Sequence, residues 1–158
     1  MELLFLMRIL KFQLQALAVP KGRDVRDRRF IDGERLFQEA KCAVCHSPVL
    51  KMAEQFKKLP QLANQTFHAY TDLLLHDMGE GLADNRPDLQ AGGRDWRTPS
   101  LWGGGLSQKV SGSQLMLHDV CARNYGEAIL WYGGEANVSR EFFKNMKKRQ
   151  GESCILFK

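Results

Sequence analysis

Cys42-Ala43-Val44-Cys45-His46 is a C-x-x-C-H pentapeptide, and the fold turns on how it is read. Two thiols three positions apart can each add to one vinyl group of a haem, and the adjoining imidazole then reaches the iron. The same five residues also suit half of a zinc site, or a redox dithiol beside an incidental histidine. Gly33, Leu36 and Phe37 precede the motif on what reads as one helix running into it. Covalent haem is the reading taken forward.

The bulk properties frame that reading. A chain of 158 residues suits one domain with a real core, and 44% hydrophobic with 26% charged residues is ordinary for a globular protein. The net charge is +5, and basic residues gather in Lys21 to Arg29 and Lys144 to Arg149. Asp24 and Asp27 break the first run, and no aromatic residues interleave with it as stacking platforms. Nucleic acid is therefore not an expected partner. A basic rim does suit the steering of an acidic redox partner. Of the four cysteines, haem attachment takes two, which leaves Cys121 and Cys154 either paired or as single thiols.

Residues 1–19 carry no credible export signal: Glu2 follows the initiator, Arg8 and Lys11 interrupt the apolar run, and a small-residue cleavage site is missing. Leu3 to Met7 is too short to span a bilayer. Leu3, Leu6, Leu10, Leu14 and Leu17 recur at helical steps, which predicts an amphipathic helix ending before Pro20 whose stripe rests on its own domain or on a partner. The next helix is expected to begin at Ile31 or Asp32, residues 47–70 to be irregular, and Asp84 to Gly93 to form a surface loop. Asn124 caps a predicted helix through Glu127 and Trp131, stopped by Gly133-Gly134, and Ser139 is the expected cap of the last helix. The fold class expected is all-α: helices and long loops wrapped around one covalently bound haem, with Trp96, Trp102 and Trp131 available to wall its pocket.

Several blocks together resemble one family, the di-haem oxidoreductases (also called thiol oxidoreductases), related to bacterial di-haem cytochrome c peroxidases. They are the C-x-x-C-H motif, Tyr70-Thr71-Asp72-Leu73-Leu74-Leu75-His76-Asp77-Met78-Gly79, Trp96-Arg97-Thr98-Pro99 and Leu101-Trp102-Gly103. Leu117-His118-Asp119, Glu127 to Trp131, Gly133-Gly134-Glu135-Ala136 and Ser139-Arg140 follow in family order. Small c-type cytochromes likewise place a Gly-x-x-Leu-Phe helix ahead of the haem motif. The resemblance implies a cytochrome c-like domain over residues 21–158, with residues 1–20 a helix left from a linker or from a missing N-terminal haem domain. It also implies that peroxide reacts at that missing haem, so that electron transfer is the role expected of this chain. Two departures stand out: Val120 occupies a position where the family suggests glycine, and Gly151 interrupts the last helix.

On this reading one haem c is held by Cys42, Cys45 and His46, with His46 the proximal ligand. The resemblance places Tyr132 at the distal position, and Met78, in a loop after an apolar run, is the alternative iron ligand. His76 and His118 are candidates for ligation or proton transfer, though a hydrogen-bonded structural role suits each better. Arg97 is expected to pair with a haem propionate, with Arg123 second. No catalytic set is assigned. The redox partner is a protein or a second haem domain, and by analogy the compartment is the periplasm. The alternatives are a structural zinc module using Cys42, Cys45, His118 and Cys121, or a non-functional relict.

Overall fold

The computed structural model describes residues 2–17, 20–57 and 59–150. Ala18, Val19, the Gly151 break and any pairing of Cys154 lie outside the described residues.

Helix α1 (Glu2–Gln15) forms as its leucine periodicity predicts. Its apolar residues from Leu4 to Leu14 are all exposed, so the stripe rests on nothing within the described chain. Helix α2 (Arg28–Glu39) starts before the Ile31–Asp32 boundary expected. Its cap is Asp27, an extended residue whose carboxylate accepts the Arg29 N–H at 2.8 Å. In sequence Asp27 reads as one member of a charged run, which hides the cap. At the other end Lys41 takes a left-handed φ of 63° and turns the chain into a short 3-10 segment, Cys42–Val44.

The all-α expectation is overturned. Two small antiparallel sheets accompany five α-helices among the described residues, so the class is mixed α and β. Strand β1 (Leu50–Lys51) pairs with β2 (Thr66–Phe67), inside the segment expected to be irregular. Strand β3 (Leu75–Asp77) pairs with β4 (Asp95–Arg97), setting Leu75 opposite Arg97 and His76 opposite Trp96. Strands of two or three residues are too short to leave a two-residue alternation in the sequence. They form because extended backbone near a core must still satisfy its N–H and C=O groups.

Helix α3 (Ser107–Ser111) is a short surface turn. Helix α4 (Tyr125–Trp131) is capped as expected, Asn124 Oδ1 accepting the Glu127 N–H at 2.9 Å. Helix α5 (Asn137–Gln150) packs on α4 and begins two residues earlier than the Ser139 cap expected, because a 3-10 turn, Gly134–Ala136, leads directly into it. The buried hydrophobic residues described are few: Phe37, Leu82, Phe143 and Met146, with four alanines. Thr71 and Thr98 complete the core.

Candidate functional site

The end of α2 and the 3-10 turn after it present the three motif side chains together. Cys42 and Cys45 are free, half-buried thiols, one turn apart. Burial pushes both thiols above the usual cysteine range; at Cys42 a hydrogen bond with Ser139 opposes the rise, and at Cys45 the carboxylates of Asp72 and Glu135 add to it. A redox dithiol needs one thiol lowered toward the thiolate. Burial works against that at both positions.

His46 is oriented by the backbone. Its Nδ1 lies 2.9 Å from the Tyr70 carbonyl, which can only accept, so Nδ1 carries the proton and Nε2 keeps the lone pair. Burial lowers the His46 pKa below its ordinary value, opposed chiefly by that carbonyl, and so favours the neutral ring. A neutral imidazole with one nitrogen tied to a carbonyl is the form that ligates metals. The Phe37 ring packs 6.3 Å from the His46 ring and edge-on to Tyr70 at 5.7 Å.

The segment that supplies this carbonyl is itself clamped. Tyr70 and Leu73 both take left-handed backbone, at φ 53° and 62°. Between them Thr71 Oγ1 donates to the Thr98 carbonyl at 2.7 Å and accepts the Leu73 N–H at 2.9 Å. The Thr71 N–H reaches back to the Ser47 carbonyl at 3.1 Å, immediately after the motif. One hydroxyl thus holds an unfavourable local conformation in place behind the histidine.

Beside Cys45 lies a cluster that sequence reasoning did not assemble. His76 Nδ1 is 2.8 Å from Glu135 Oε2, and its Nε2 is 2.9 Å from Asp72 Oδ2. The two carboxylates, Glu135 foremost, raise the His76 pKa, which gives it the hydrogen-bonded role expected. The Cys45 Sγ lies 3.6 Å from the same Nδ1. Asp72 and His76 stand four residues apart, a signal that was legible, but Glu135 comes from a segment 59 residues away.

The remaining candidates fall in three places. Tyr132 closes α4, and burial, followed by Cys42, Tyr125 and Cys45, pushes its phenol up to about 12. The Gly133 N–H donates to the Met78 carbonyl at 3.0 Å, so the two distal candidates sit on adjoining backbone. Arg97 is exposed on β4 with no ion pair among the described residues, whereas Arg123 is engaged with Glu127 at 2.6 Å. His118 is exposed and stacks on Trp96, ring centroids 3.6 Å apart. Trp96 is half-buried and donates to the Leu82 carbonyl at 2.9 Å, while Trp102 and Trp131 are exposed.

The zinc tetrad does not form. Among the described residues the one metal-ligating group of three or more is Cys45, Asp72 and His76, and His118 and Cys121 are not brought to it. Haem suits the donors that do converge: two free thiols at the required spacing and an oriented neutral imidazole.

Residues 7–158 match the family model described as "Di-haem oxidoreductase, putative peroxidase", and the chain belongs to that family. No curated protein and no solved structure matches the chain. No helix among the described residues is long and apolar enough to cross a membrane.

Proposed function

We propose that this chain is a haem-binding electron-transfer unit of a di-haem oxidoreductase, working in the periplasm. Cys42 and Cys45 attach one haem c through thioethers, and His46 Nε2 is its proximal ligand. The observation that carries the reading is the His46 Nδ1 bond to the Tyr70 carbonyl at 2.9 Å, beside two free thiols. Haem bound there supplies a one-electron iron couple.

The chain's own residues hold and tune that site. The Thr71 clamp fixes the carbonyl that orients His46. Phe37 shields the ring from water, and the exposed Arg97 guanidinium is available to a propionate. Tyr132 is the distal ligand in this reading, supported by its covered hydroxyl and by its place beside Cys42 and Cys45; Met78 is the competing ligand. A phenol pushed up to about 12 resists ionisation, so Tyr132 would hold an iron as phenolate only with the help of the metal's own charge.

Residues 21–158 form the haem unit. Residues 1–20 belong to the connection with a second haem domain or a redox partner, a role supported by the exposed apolar side chains of α1. Peroxide chemistry is assigned to the partner haem. The deciding test exports the chain behind an added leader in a host with c-type maturation, followed by a visible spectrum and pyridine haemochrome. One covalent haem per chain supports the reading, and Tyr132→Phe or Met78→Ala then shifts the spectrum of the residue that ligates. A chain that matures without haem refutes it.

A further inference from the structure

We propose that the chain, before haem is attached, holds one divalent transition-metal ion between Cys45 Sγ and His76 Nδ1. The inference goes beyond the haem reading and rests on it for the protective role, while metal binding by the haem-free chain is tested separately.

The spacing admits a zinc-type ion. With metal–sulfur near 2.3 Å and metal–nitrogen near 2.05 Å, two ligands at the tetrahedral angle lie about 3.6 Å apart. The Cys45 Sγ to His76 Nδ1 separation is 3.6 Å. Cys45, Asp72 and His76 each offer a ligand atom within 4.8 Å of the others, and all three are partly buried. The histidine is also set for the task. Asp72 Oδ2 accepts from Nε2 at 2.9 Å and Glu135 Oε2 accepts from Nδ1 at 2.8 Å; an ion that displaces the Nδ1 proton leaves Asp72 on Nε2, the carboxylate–histidine–metal arrangement. Glu135 Oε2, 2.8 Å from Nδ1 on a largely exposed side chain, is placed to swing in as a third ligand, and water completes the set.

Charge points the same way. Cys45 faces Asp72 and Glu135, with Arg94 paired instead to Asp77 and Glu80 on the far side of β3. Two carboxylates and a thiol gathered around His76 suit a divalent ion, which replaces the thiol proton and the His76 Nδ1 proton and releases both to solvent. The consequence is protection. A C-x-x-C pair in an oxidising compartment closes to a disulfide unless one sulfur is held, and here the metal caps Cys45 until haem displaces it.

The probe is cobalt(II), added to the full haem-free chain with its thiols reduced and its fold checked by circular dichroism. Thiolate ligation gives a sulfur-to-cobalt charge-transfer band in the near ultraviolet, titrating to one ion per chain. Cys45→Ser and His76→Ala should abolish the band, and Asp72→Asn should weaken affinity about 10–100-fold. Cys42→Ser and His46→Ala should keep it. Because the two serine variants are near-isosteric, their contrast stands even if His76→Ala fails to fold. No band in the parent chain overturns the proposal. So does a band lost in Cys42→Ser yet kept in His76→Ala, which would mark an ordinary dithiol site.

Discussion

Replacing Thr71 with valine keeps the shape of a fully buried side chain and deletes only its hydroxyl. Two bonds are lost, to the Thr98 carbonyl and from the Leu73 N–H. Thr98 is buried, so its carbonyl is left without a partner at a cost of about 1–3 kcal/mol. Leu73 is exposed, and its N–H can turn to water, forfeiting about 0.5–1.5 kcal/mol. The added methyl returns about 0.8 kcal/mol. The net loss is about 2 kcal/mol, or roughly 4–8 °C in melting temperature for a chain of this size. Thr71→Ser is the control: it keeps both bonds and loses one methyl, at about 1 kcal/mol. Thermal melts of the three proteins, followed by far-ultraviolet circular dichroism, give the order wild type, Thr71→Ser, Thr71→Val. A valine variant that melts with the wild type, or above the serine variant, refutes the clamp.

Phe37→Ala should cost about 3–5 kcal/mol, read as a shift in the urea midpoint, because the ring is buried against His46 and Tyr70. Gly79→Ala should be strongly destabilising, since φ is 79° and a Cβ there would sit 2.8 Å from the Gly134 nitrogen; a folded, equally stable variant would contradict that contact. The His76 cluster sets a pH dependence. The folded His76 pKa is raised, so its contribution is complete below the unfolded histidine value and fades as pH climbs through the folded one. Asp72 and Glu135 are lowered by their hydrogen bonds, and theirs fades instead in acid. The stability gap between wild type and His76→Gln should therefore be larger at mildly acidic than at alkaline pH, and a gap that widens with alkali would reverse the assignment. Val120→Asn should raise the melting temperature slightly, because Val120 takes φ 56° with its side chain exposed and asparagine tolerates that region better.

What the sequence revealed was local. Asn124 announced α4 because a cap acts over three residues, and the C-x-x-C-H spacing announced its donors because they share one turn. Asp27 capped α2 by the same chemistry but was camouflaged by charged neighbours. The two sheets were missed because β3 and β4 are three residues each and are held by pairing with distant backbone, not by their own pattern. The Glu135 half of the His76 cluster was invisible for a related reason: no local rule links residues 76 and 135. Val120 stands where the family suggests glycine, and the chain takes a positive φ there even with a β-branched residue, within the turn that the Met116–Ala122 bridge closes.

The thin core has a thermodynamic corollary. With only four buried hydrophobic side chains larger than alanine among the described residues, the folded state leaves much of its free energy to whatever occupies the site. A ligand bound only by the folded chain at a hundredfold excess over its dissociation constant adds about 2.7 kcal/mol by mass action, and a covalent one cannot be lost by dilution. The cellular abundance of this protein should then follow the supply of its cofactor more closely than the rate of its translation, because chains that wait unfilled are the ones proteases reach first.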